Sequence, residues 1–219
     1  MEQSQAGKSL NFIYAFIFLP HVFFNHFYQK TNSYRNAWIL FFGIQFTLLG
    51  FYLSIFPSIV QMLSRVFEVN QLEYSANVDH LIKTLLTFLG VFQFSAMTLM
   101  SFLFLHIAGV LFGGNGTAKK FFVTYILATI PIGFKFLLLT VFSLFLGSDF
   151  SFSYIYSEEK GPLATLINLV IDPFFWWSTI LGCIALKEAH GLSFARSIVI
   201  MGGMFLLGIL SVSSLLLFK

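Results

Sequence analysis

Asn36 to Ser64 reads NAWILFFGIQFTLLGFYLSIFPSIVQMLS, 29 residues without an Asp, Glu, Lys or Arg. A helix rises about 1.5 Å per residue and the hydrocarbon of a bilayer is about 30 Å thick, so about 20 such residues cross it. Backbone groups in hydrocarbon find no water and must be satisfied within the segment, and the run lacks the polar–apolar alternation of a barrel strand. It predicts a spanning helix. Thr84 to Ala118, with 35 residues, and Ser197 to Phe218, with 22, are charge-free in the same way. Phe121 to Ser148 is broken only by Lys135, and Gly161 to Leu186 only by Asp172.

The expected fold class is therefore an all-α membrane protein, a bundle of five transmembrane helices. Its spans are read at about 38–60, 86–112, 121–147, 163–186 and 196–218, forming a membrane domain over 37–219 behind an N-terminal region over 1–36. In that region Ser9 to Gln29 is uncharged, but Pro20, His21, Asn25 and His26 confine its purely apolar part to Leu10–Leu19. Ten residues rise about 15 Å, half a bilayer. The segment predicts an interfacial amphipathic helix lying on the membrane. A sixth span is a second reading. A signal sequence is a third, against which Pro20 and His21 stand where a small-residue cleavage site belongs.

Composition agrees: 58% of the 219 residues are hydrophobic, 10% are charged and 31 are Phe, which excludes a water-soluble globule. Cys183 is the single cysteine, so no intrachain disulfide or cysteine zinc site forms. A net charge of +3 is too small to suggest nucleic acid. The placement of charge says more. Lys8, Lys30, Arg35, Lys119, Lys120, Lys187 and Arg196 fall on one side of the expected bundle, against Arg65, Lys83, Lys160 and Lys219 on the other. By the positive-inside rule the N-terminus is cytoplasmic and the C-terminus outside.

Two charges inside the spans need partners or water, since an ionisable group in hydrocarbon costs at least about 2.5 kcal/mol. Lys135 lies about 18 Å from the outer end of its helix and Asp172 about 13 Å from the outer end of its own, near enough in height to meet. Three readings stay open. The two form a buried pair that docks their helices; or Asp172 only caps the helix that starts at Pro173 while Lys135 snorkels; or the two form a proton or ion relay. Gln45 and His106 are set at similar distances from the cytoplasmic face and are expected to bond across helices. Gly109 and Gly113 make a small-xxx-small pair suited to close helix packing. Lys119, Lys120, Lys187 and Arg196 form the short basic loops, a cytoplasmic face for anionic lipid and partners.

No catalytic constellation accompanies them. There is no HExxH or GxSxG motif, and the Gly113–Thr117 turn lacks the lysine of a phosphate-binding loop. His21, His26, His80, His106 and His190 have no ligand spacing. No cofactor or metal is expected.

The run GVLFGGNGTAKKFFVTYILATIP at Gly109–Pro131 has a glycine-rich turn, a basic pair and a tyrosine six residues before a proline. With FFWWSTILGCIALKEAHGLSFARSIVIM at Phe174–Met201 and, more weakly, Pro20–Gly50, it resembles the Yip family of membrane proteins, named for interaction with Ypt/Rab-type GTPases. The resemblance implies five helices, no catalytic centre and a non-enzymatic adaptor or accessory role among membrane lipids and partner membrane proteins. Eukaryotic members carry a long cytosolic N-terminal region with a DLYGP-type motif. This chain has neither, which speaks against a GTPase partner. It looks like the short prokaryotic members of the cell membrane, for which association with transport machinery is the expectation. A small transporter or channel using Lys135 and Asp172 is the alternative.

Overall fold

The computed structural model describes residues 12–70, 76–155 and 171–217, and every element among them is a helix. In chain order these are α1 (Phe12–Phe18), α2 (Pro20–Gln29), α3 (Ser33–Val69), α4 (Ala76–Leu111), α5 (Ala118–Ala128), α6 (Ile130–Leu146), α7 (Ser148–Ile155), α8 (Pro173–His190) and α9 (Phe194–Leu217). Three stretches are long and apolar enough to cross a membrane: Ser33–Val69, Asp79–Leu111 and Ala118–Leu146, the last running through α5 and α6. The fourth expected span begins at residue 163, and its first residues lie outside those described. Its described part is α8.

Local chemistry sets the ends. Thr117 caps α5 by accepting from the Lys120 N–H at 3.2 Å. Asp172 caps α8, with Pro173 placed where its missing N–H has no helical partner to lose. α8 stops at Gly191, whose φ of +69° is left-handed and whose N–H returns to the Lys187 carbonyl at 2.9 Å.

Pro131 divides the third span. It brings no N–H to the helix, and Ile132 and Gly133 both donate to the Thr129 carbonyl, which leaves the Ala128 carbonyl over. Ser178 of α8 donates to it at 2.5 Å, so a break that would be costly in hydrocarbon becomes an interhelical tie. Below the break α5 is buried along Phe121–Leu127 within the larger core, which joins α2, α3, α4 and α8 through Phe24, Phe41, Leu105, Leu181 and Leu186. Above it α6 shares a smaller core, Leu48, Phe51, Ile55 and Leu139, with α3. α7 closes that end: Ser58 donates to the Asp149 carboxylate at 2.6 Å and Ser151 to the Leu139 carbonyl at 2.8 Å.

The N-terminal segment differs from a single helix lying flat. At Leu19, φ −133° and ψ 54°, the chain folds back, so that the Phe12 ring lies 6.1 Å from Phe23 and 5.9 Å from His26, with the Lys30 ammonium 4.4 Å above it. In a straight helix residues 12 and 26 would be about 21 Å apart. α1 and α2 thus form a helical hairpin. Ala15 and Phe24 are fully buried in the main core, and Phe16 reaches Trp177 of α8 at 5.4 Å. The outer side of the hairpin is apolar and exposed at Ile13, Tyr14 and Phe18. The chain turns at Leu19–Pro20, and Asn25 ties α2 down to α8.

Candidate functional site

Two clusters of polar side chains stand out, one in the bundle and one at its basic end. In the first, Lys135 of α6 donates to Oδ2 of Asp172. Lys135 is 17 residues past the start of α5 and Asp172 is 18 before the end of α8, so at about 1.5 Å per residue both stand about 26 Å from the same end. The other carboxylate oxygen, Oδ1, accepts from the backbone N–H of Phe174 at 2.9 Å and of Phe175 at 3.4 Å. Asp172 is 3% exposed and Lys135 18%. Pairing and capping, alternatives in the sequence, coexist in one group.

The second cluster gathers where α2, α4 and α8 end and α3, α5 and α9 begin. Lys119 lies 5.6 Å over the Tyr34 ring and Lys120 5.8 Å over Tyr28. Arg196 donates to the Phe112 carbonyl at 3.3 Å, and Lys187 sits 3.6 Å from Glu188. Glu188 also accepts from Asn25 at 3.0 Å, which fastens the hairpin to α8. Among the described residues Glu188 is the sole carboxylate at this end, against Lys30, Arg35, Lys119, Lys120, Lys187 and Arg196.

Under this surface the structure re-pairs two residues that were expected to meet. Gln45 accepts from Ser95 at 2.9 Å, whereas His106 Nδ1 lies 3.2 Å from His190 Nε2. Gln45 is level with Ser95, about 16 Å along α4 from His106, so the two stand at different heights. His190 is 1% exposed, with Phe121 5.1 Å away, and its Nδ1 has no hydrogen-bond partner among the described residues. It lies beyond residue 186, at the bundle end. Burial chiefly, then the charges of His106 and Lys120, pull its pKa down from 6.5 to about 4.

Gly109 and Gly113 have separate jobs. A Cβ on Gly109 would come within 2.9 Å of the His190 ring, so α4 approaches α8 through this glycine. Gly113 is a turn residue instead. Its φ is +88°, its N–H bonds Val110 and that of Gly114 bonds Gly109, the double closure that ends helices in left-handed glycine. The turn then docks on α8: the Asn115 N–H meets the His190 carbonyl at 3.0 Å, and a Cβ on Gly116 would stand 2.3 Å from the Ala189 carbonyl oxygen.

His190, Glu188 and Asn25 were not legible as a cluster, because their partners come from α4 and α2, far away in sequence. The available hint was the Gly109, Gly114 and Gly116 series opposite the end of α8. Among the described residues no three His, Cys, Asp or Glu side chains gather as metal ligands.

The family model described as the Yip1 domain matches residues 14–215. No curated protein and no solved structure matches the chain.

Proposed function

The chain belongs to the Yip1 domain family, a multi-pass integral membrane protein, and on that premise we propose that it is a non-enzymatic adaptor. In this reading it organises partner membrane proteins and lipids, beside a transport system of a prokaryotic cell membrane. The proposed arrangement has five spans, at about 38–60, 86–112, 121–147, 163–186 and 196–218, with the hairpin seated in the cytoplasmic leaflet, the N-terminus in the cytoplasm and the C-terminus outside.

The observation that carries the proposal is the basic end. Lys119, Lys120, Lys187 and Arg196 come from three separate loops and helices, yet they stand over the largest core of the molecule, with a single carboxylate among them. A fixed array of cations at a membrane surface attracts anionic headgroups and acidic segments at about 1 kcal/mol per charge. Purification of the intact chain in mild detergent, followed by mass spectrometry of co-eluting proteins, tests it. Neutralising Lys119, Lys120 and Lys187 together should deplete the partner while the fold is retained. Unchanged recovery rejects the adaptor.

A small transporter or channel built on Lys135 and Asp172 is the other reading. The bonds from Phe174 and Phe175 to Asp172 weigh against it, since a relay needs a group free to change partners.

A further inference from the structure

Between α3, α4 and the start of α5 a groove of about 430 Å³ is lined by Tyr34, Trp38, Leu99, Phe102, Phe122 and Lys119. Its walls are rings packed on one another, Trp38 on Phe122 at 4.7 Å and Phe102 on Phe122 at 5.4 Å. Lys119, exposed at the mouth, is the one charged side chain in its lining. Phe102 is level with Phe122, three residues past Lys119, and Leu99, at the foot, stands three residues deeper on α4, so the groove reaches about 9 Å inward from its mouth.

Size decides the occupant. Volume over length gives a cross-section of about 48 Å², against roughly 80 Å² for a helix with its side chains. A partner helix with side chains is about 10 Å across, and over the same length it would need on the order of 700 Å³, more than the groove holds. A soluble anion would leave the aromatic walls unused. Charge decides the headgroup. The mouth carries Lys119, the surrounding end adds Lys30, Arg35 and Lys120, and Glu188 is already held by Asn25 and Lys187.

We propose that this groove binds an anionic phospholipid, one acyl chain lying between Trp38, Phe102 and Phe122 and the headgroup phosphate at Lys119. The proposal rests on the reading that the basic end lies at the membrane surface, and it deepens that reading from a diffuse attraction to one seated lipid.

Native mass spectrometry of the purified full chain in neutral detergent tests it, using phosphatidylglycerol and phosphatidylcholine of equal chain length. The wild type should retain phosphatidylglycerol roughly fivefold better, the factor one surface lysine supplies. Lys119→Gln should remove the preference, Lys119→Arg should keep it, and Lys83→Gln, at the other end of α4, should leave it intact. Leu99→Trp, filling the foot, should lower retention of long-chain lipid and spare a short-chain phosphatidylglycerol. Equal retention of the two lipids, a preference that survives Lys119→Gln, or displacement of the lipid by inorganic phosphate overturns the proposal. No partner protein is present in this assay, so its outcome is separate from the loss or recovery of a partner.

Discussion

One carboxylate, that of Asp172, holds both the Lys135 ammonium and the first turn of α8: Oδ2 faces the lysine and Oδ1 the N–H groups of Phe174 and Phe175. The ion pair therefore joins α6 to α8 at the very point where α8 starts. Lys135→Met should cost about 3 to 5 kcal/mol, because it strands a buried charge. The Lys135→Met/Asp172→Asn double change should recover much of that, since asparagine still caps. Asp172→Ala loses the cap as well and should cost about 1 kcal/mol more than Asp172→Asn. Thermal unfolding of the set in detergent gives the coupling. A value within about 0.5 kcal/mol of zero would mean the two residues are energetically independent.

The close approach of α4 and its turn to α8 makes a graded glycine series. Gly116→Ala should be the most damaging, its Cβ 2.3 Å from a backbone oxygen that has nowhere to go. Gly109→Ala should cost less, because the imidazole it meets at 2.9 Å is a side chain. Gly43→Ala meets nothing within 4 Å and should be neutral or slightly stabilising. Melting temperatures in that order support the docked turn; equal effects at 43 and 116 do not.

Acid should loosen the same junction. The two rings at 3.2 Å share one hydrogen when neutral, and protonating His190 puts a cation into a buried site beside Lys120. Because the pKa of His190 is lower in the fold than the ordinary 6.5, its contribution to stability is complete above 6.5 and is lost as pH falls toward about 4. Melting temperature measured from pH 7.5 to 4.5 should decline across that window, and His190→Gln should flatten the decline. An identical decline in the variant would place the effect elsewhere.

The hairpin should enter one leaflet and return. In a Cys183→Ala background, thiols at Phe12 and Thr31 should react with a membrane-impermeant reagent from the same side, while a probe at Phe18 should be quenched from within the lipid. Ser4 and Ser214 should label from opposite sides, as an odd number of spans requires. Labelling of Phe12 and Thr31 from opposite sides would make the segment a sixth span.

What the sequence disclosed follows from where its signals act. Long charge-free runs such as Asn36–Ser64 need only length to declare a membrane helix, and α3 and α4 follow them closely. Lys135 and Asp172 were conspicuous because a charge in an apolar run is rare, and height along two helices sufficed to bring them together. Gln45 and His106 were misassigned because the charge-free run overshoots its helix: α4 stops at Leu111, and Ser95, which Gln45 meets, stands on the same face of α4 as His106 but about 16 Å further in. The fold-back at Leu19 escaped notice because Pro20 reads equally as a helix start and as a bend, and only the rings of Phe12, Phe16 and Phe23 closing on one another choose between them.

The break at Pro131 has a mechanical meaning. Among the described residues, the half of the bundle nearer the basic end holds the larger core, in which α2, α4, α5 and α8 lock together, while the half beyond Thr129 has a smaller one, shared by α3 and α6. Stiffness is thus graded along the membrane normal. When bilayer thickness or lateral pressure changes, helices adjust by tilting, and tilting will be taken up where packing resists least. The protein should yield first at the end away from the basic loops, with the basic end carried along as one unyielding plate.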